Sequence, residues 1–464
     1  MNNKKIFILL PDGIGLRNFA FSNFHKIGEE KFDVTFWNNT PFNLTDFDFS
    51  EVKITNAKVH LASDVLKNAI IQSTLLLSKK DENDTVYDSY RFKPNTNGIK
   101  NKVKNFLVSV LIQLCTNRKG ISFLRNYLNK LELTTAYFKT CKEQLILHKP
   151  EFVFCTNQRH LSALAPLLAA KELNIPTATF IFSWDNLPKA TMVVETDFYF
   201  VWSDFMKNEL LKYYPNIKEE QVKITGTPQF EFHFDEENYV SRDAFFAENG
   251  LDTNKKYICY SGDDITTCPD DERYLEDVTQ AVANLNAKGN NIGIIFRRSP
   301  VDFLNRYNEI LEKFKDIVVP IDPKWAKMGE EWNTVLPLKE DNTILVNTIR
   351  YSEMVINLGS SMVFDYTVFE KPCLYINYDV PNKKQEDWSV DKIYKFVHFR
   401  SMFSKNDVIW INEKSEIEER IELALETNSS IEGAKKWFEK INMQPANKAS
   451  YRIWKEINTI LNNE

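Results

Sequence analysis

No apolar run in this 464-residue chain approaches the roughly 18 residues that a membrane-spanning helix needs, so a spanning protein is not expected. Cysteine is sparse: six residues, at 115, 141, 155, 259, 268 and 373, with no CxxC pair and no Cys/His cluster. Neither a disulfide framework nor a zinc module is expected, and the thiols read as reduced core residues. The six histidines, at 25, 60, 148, 160, 233 and 398, show no HxH or HxxxH spacing, so no metal site is expected. Positive charge is in deficit, with 58 Lys and Arg against 64 Asp and Glu. A net charge of -6 argues against nucleic acid as a partner, because phosphate-backbone binding leaves a concentrated basic face. A signal peptide's long apolar region is missing too, since Lys4 and Lys5 lead straight into the short run Ile6-Phe7-Ile8-Leu9-Leu10. A cytoplasmic location is therefore expected.

What is present is ample core material, with 34 Phe, 18 Tyr and 9 Trp, and a length that favours two domains. Short apolar runs alternate with longer amphipathic ones, the pattern of βα units and parallel sheets, and the pattern occurs twice. In the first half, strands are expected near Lys5 to Leu10, Asp33 to Trp37, Phe152 to Cys155, Thr177 to Phe182, Phe198 to Trp202 and Val222 to Thr225. In the second they fall near Tyr257 to Tyr260, Ile292 to Phe296, Ile317 to Val319, Met354 to Asn357, Cys373 to Ile376 and Val408 to Trp410. The expected organisation is an N-terminal domain over 1-230 with a helical insertion at about 60-148, a linker over 231-256, and a second domain over 257-464. Polar punctuation divides the insertion at Lys79 to Thr85 and Lys93 to Asn101.

The segment Met354-Val355-Ile356-Asn357-Leu358-Gly359-Ser360-Ser361 continues through Asp365 to Lys371-Pro372-Cys373. It reads as a buried strand, a glycine turn, a short serine-capped helix and a stop. Gly359 lets a ligand approach the backbone, and Ser360, Ser361 and the free amides behind them offer donors to a phosphate. Asp365, about one turn inside the helix, could accept both hydroxyls of a ribose. Strand carboxyl ends are where open α/β sheets bind ligands.

This segment resembles the donor-binding element of GT-B glycosyltransferases and of the related UDP-N-acetylglucosamine 2-epimerases. The resemblance implies an α/β fold of two Rossmann-like domains facing across a cleft. It also assigns the ribose-binding carboxylate to Asp365, six positions before Lys371; the departure is Asp where Glu is usual. Thr225-Gly226-Thr227-Pro228 resembles the Thr-Gly-x-Pro that closes the N-terminal domain in the same families, and the order of strand, serine-capped helix and closing strand around it matches theirs. Arg297 and Arg298 stand where sugar- and glycerophosphate-transferring relatives carry a basic residue before a His-Pro turn, with Ser299 in place of the histidine. Either arginine could neutralise a departing diphosphate or simply be solvated. Ser261, in Ser261-Gly262-Asp263-Asp264, either meets the donor or sits in a turn.

An inverting transfer needs a base beside the acceptor hydroxyl. Two acid-bearing loops follow strands in the first half: Pro11-Asp12-Gly13 and Ser183-Trp184-Asp185-Asn186-Leu187-Pro188-Lys189. The second loosely resembles the Trp-His-Gly-x-Pro-x-Lys loop of CDP-glycerol glycerophosphotransferases, with Asp185 at their histidine, and Asp185 is preferred over Asp12. The expected function is metal-independent, cofactor-free transfer from a nucleotide-sugar donor, UDP-linked, to a glycan or lipid-linked acceptor in surface polysaccharide synthesis. Alternatives are a CDP-glycerol-type polyol-phosphate transferase, a sugar epimerase, or a non-catalytic nucleotide-sugar-binding protein. The Asp46-Phe47-Asp48 tripeptide has an Asp-x-Asp pattern but lies in an irregular stretch and reads as loop. Lys100 to Leu111 places lysines before an apolar run; core burial is the preferred reading, and peripheral contact with the inner membrane surface is the alternative.

Overall fold

The computed structural model describes residues 3–91, 95–328, 335–427 and 430–462. Two compact units emerge, Met1–Pro228 with Ile441–Glu464, and Gln229–Lys440. Each is a parallel sheet wrapped by helices, the α/β Rossmann-like class expected.

The first unit's strands are β1 Lys4–Leu10, β2 Phe32–Asn38, β3 Glu51–Lys53, β4 Phe152–Cys155, β5 Thr177–Phe180, β6 Phe198–Val201 and β7 Val222–Ile224. They lie in the order β3-β2-β1-β4-β5-β6-β7. All pairs are parallel. Fully buried runs such as Ile6-Phe7-Ile8-Leu9-Leu10 make these strands, since both faces are covered. The order turns back between β1 and β4, where an open sheet leaves a crevice at the strand ends.

Between β3 and β4 the chain makes the helices Ser63–Glu82, Val86–Ser89, Ile99–Cys115, Arg118–Glu132 and Ala136–His148. Their inner residues, among them Leu66, Ile70, Leu124, Leu128 and Leu145, share one core with Phe7, Leu9, Trp37 and Val153 of the sheet. Helix ends fall at Asn83 and Gly98, both with left-handed φ. Lys93 and Pro94 of the expected polar break lie outside the described residues. The helix Ile99–Cys115 departs from the preferred core reading: only Cys115 is buried in it.

The second unit's sheet holds β8 Lys256–Ser261, β9 Ile292–Arg297 and β10 Val318–Pro320, and, after a two-stranded ribbon of β11 Trp325–Lys327 and β12 Val335–Pro337, β13 Val355–Asn357, β14 Cys373–Ile376 and β15 Ile409–Ile411. Its order is β10-β9-β8-β13-β14-β15, so the turn-back point lies between β8 and β13.

Two departures concern the division of the chain. The stretch 231–256 belongs to the second unit: Phe245, Phe246 and Leu251 pack with Tyr257, Ile295 and Ile321 in one cluster. The last residues, from Ile441, return to the first unit. There the indole of Trp454 stacks on Phe24 and Phe32, and its Nε1 donates to the Phe24 carbonyl at 2.7 Å.

Candidate active site

In the first unit the crevice between β1 and β4 is built from Pro11-Asp12-Gly13 and Thr156-Asn157-Gln158-Arg159-His160. Gly15 lets the first loop lie against β4, because a Cβ there would come within 2.5 Å of Thr156 Oγ1. Asp12 is buried, and both its oxygens are held: the Ile14 amide donates to Oδ1 at 3.2 Å and Asn157 Nδ2 to Oδ2 at 2.7 Å. Burial nonetheless dominates and pushes its pKa up to about 6, against the pull of the Arg159 and Lys67 charges and the two hydrogen bonds. Lys67 comes from the helix Ser63–Glu82, and burial lowers its pKa. His160 falls to about 4, through burial first and then the same two cations, so its ring is neutral at pH 7. Its Nδ1 lies 2.6 Å from Ser162 Oγ, which in turn donates to the Pro11 carbonyl at 3.1 Å. The result is one buried acid tuned toward neutrality, beside two cations and a neutral imidazole.

Asp185 has a different setting. Its carboxylate is ion-paired with Lys189 and accepts from Asn186 Nδ2 at 2.9 Å. Both of its oxygens are thus held within its own loop, whereas Asp12 stands at the turn-back point of the first sheet.

In the second unit the crevice lies where β8 and β13 end. Gly359 has φ 68, and a Cβ there would approach the Phe399 ring at 3.1 Å. The Ser360 amide donates to Asn357 Oδ1 at 2.9 Å, and Ser360 Oγ accepts from the Met362 amide. Ser361 stands at the N-cap position of the helix Met362–Val368 without a side-chain cap, so of the two expected capping serines only Ser360 acts. Gly359, Ser360 and Ser361 stay partly exposed. On the β8 side, Ser261 is buried, and Gly262 brings the chain against Asp271 and Tyr307. Asp271 accepts from Tyr260 Oη at 3.0 Å, Tyr307 Oη at 2.6 Å and the Asp263 amide at 3.2 Å. Burial first, then the neighbouring Asp271 and Asp264 charges, raise Asp263 well above the usual carboxylate range.

Two of the expected donor residues lie in buried pairs. Asp365 is buried, and His233 Nε2 donates to its Oδ1 at 2.7 Å. That oxygen is held in an internal pair. Arg297 is buried as well, its Nη2 donating to both oxygens of Asp341 at 2.8 and 2.9 Å. Asp341 also accepts from the Lys324 amide and from Trp325 Nε1. Arg298 is the more accessible arginine, paired with the exposed Asp322 at 2.9 Å. Lys371 proves structural: its Nζ donates to the carbonyls of Ile349, Arg350 and Ser352, which close the end of the helix Glu340–Tyr351.

Sequence reasoning missed Lys67, Asn157, Arg159 and His160. The polar run after the buried Phe152–Cys155 was the available signal, but only the strand order puts it beside Asp12.

No protein-family model and no curated protein matches the chain. Solved structures do match it end to end. A putative UDP-N-acetylglucosamine 2-epimerase from Listeria monocytogenes aligns over 100% of this chain and 98% of its own, with TM-score 0.57 and 12% identity. The S. aureus MnaA structure with UDP aligns over 99% and 97%, with TM-score 0.51 and 14% identity. A glycosyltransferase from Rickettsia africae ESF-5 aligns over 99% of each chain, with TM-score 0.50 and 11% identity. At such identities the likeness shows the fold: this is a GT-B chain of two Rossmann-like domains.

Proposed function

We propose that the protein is a glycosyltransferase that moves a sugar from a nucleotide-sugar donor, UDP-linked, to a glycan or lipid-linked acceptor in surface polysaccharide synthesis. The observation that carries this reading is Asp12, a buried carboxyl at the turn-back point of the first sheet with its pKa near 6. Ionised at pH 7 and still basic, it can take the proton of an acceptor hydroxyl as the oxygen bonds to C1 and the nucleoside diphosphate leaves. Donor binding is assigned to the second unit, with the Gly359-Ser360-Ser361 turn against the diphosphate and Arg298 as the accessible cation for the leaving charge. Nucleotide titration and product analysis test it. UDP-sugar should give UDP only when an acceptor extract is present, and CDP-glycerol should give no product. The reading assigns no metal, so turnover should survive a chelator.

A second reading, a sugar epimerase, is supported by the end-to-end likeness to epimerase structures. It makes an acceptor-free reaction its signature: a new sugar epimer by proton NMR without UDP release.

A further inference from the structure

The helix Ile99–Cys115 is apolar on two sides. One side packs inward, with Val108 and Leu111 against the first unit's core. The other is open: Ile99 is 81% exposed, Val103 54%, Phe106 68%, Leu107 46% and Leu114 71%. At 3.6 residues per turn these five fall within an arc of about 100°. Exposed Lys100 and Lys102 project at its two edges. Along the chain the charge here is one-sided, although Arg91, Lys104 and Arg118 are ion-paired with Asp88, Asp64 and Asp81. Residues 89–131 hold nine Lys and Arg and no Asp or Glu, in a chain whose net charge is -6.

We propose that this helix docks the protein on an anionic lipid surface, lying along it with the apolar stripe toward the acyl chains and the lysines among the headgroups. An exposed apolar stripe gains by leaving water, and lysines at its edges gain at a negative surface. Among the described residues no helix is long and apolar enough to cross a membrane, so the helix lies on the surface rather than spanning it. A second copy of the chain fits the stripe less well, because pairing two such faces would set lysines against lysines.

Co-sedimentation of the full chain with vesicles tests this. Vesicles of phosphatidylcholine with phosphatidylglycerol should pull the protein down, more weakly as salt rises, while phosphatidylcholine alone should not. The double change Phe106→Glu with Leu114→Glu should abolish binding and leave the thermal midpoint unchanged, since both side chains are largely exposed. Lys100→Gln with Lys102→Gln should weaken binding about 25-fold. The proposal is overturned if the wild type stays in solution with anionic vesicles, or if the Glu variant binds as well as the wild type. Concentration-dependent dimers in sedimentation velocity that the Glu variant abolishes, without vesicle binding, would assign the face to self-association instead.

Discussion

Asp12 and Asp365 show how burial decides what a carboxylate can do. Asp12 is desolvated more than it is paired, so the folded chain holds its proton more tightly than the unfolded chain does. Unfolding free energy then falls as pH rises from about 4 to about 6, and the cost is fully present above that window. Asp12→Asn should raise stability at pH 7.5 by up to roughly 2–3 kcal/mol and by much less toward pH 4. Denaturant unfolding at the two pH values checks this, and an equal gain at both would contradict it. Asp365 is a carboxylate whose partner is a buried ring. Asp365→Ala removes the acceptor of His233 Nε2 and should destabilise the protein by roughly 1–3 kcal/mol, the cost of losing a buried hydrogen-bond partner. Differential scanning of the variant checks it, and an unchanged unfolding midpoint would return Asp365 to a ligand-binding role. The sequence motif located Asp365 on its helix but not its partner, because His233 lies 132 positions away. Asp12 was readable as a strand-end acid, whereas Asn157 and Arg159 gained meaning only from the pairing of β1 with β4.

At the scale of elements, the Thr225-Gly226-Thr227-Pro228 turn is a built joint. Gly226 has φ 77, Arg452 Nε donates to the Thr225 carbonyl at 2.6 Å, and the Thr227 amide donates to Asn442 Oδ1 at 2.9 Å. A side chain at 226 would be strained in the left-handed region and would meet Arg452 Nη2 at 2.7 Å. Gly226→Ala should cost about 1–3 kcal/mol, read as a lower denaturation midpoint at an unchanged m-value. Buried strands were legible as apolar runs. The edge strand Glu51–Lys53 was not, because its residues are only half-buried and carry no such signature. The region 231–256 read as a linker for lack of a strand, yet its aromatic residues reach the core through a short helix, Arg242–Asn249. Such packing depends on distant partners that composition does not reveal.

For the molecule as a whole, the doubled βα pattern gave the architecture, while the return of Ile441–Glu464 to the first unit left no mark in periodicity. Removing these residues strips Trp454, Ile453 and Ile457 from a buried interface within that unit. The truncated chain should lose protease resistance in residues 3–228, and retention of that resistance would contradict the packing role. The central claim, transfer with Asp12 as base, is tested most directly by UDP release from UDP-sugar with acceptor extract, for wild type and Asp12→Asn in parallel with nucleotide affinity. The expected result is a 10²- to 10⁴-fold slower release in the variant, roughly the contribution of a positioned base, with the dissociation constant unchanged. Equal rates in the two proteins, or a new sugar epimer formed without acceptor and without UDP release, would contradict the account.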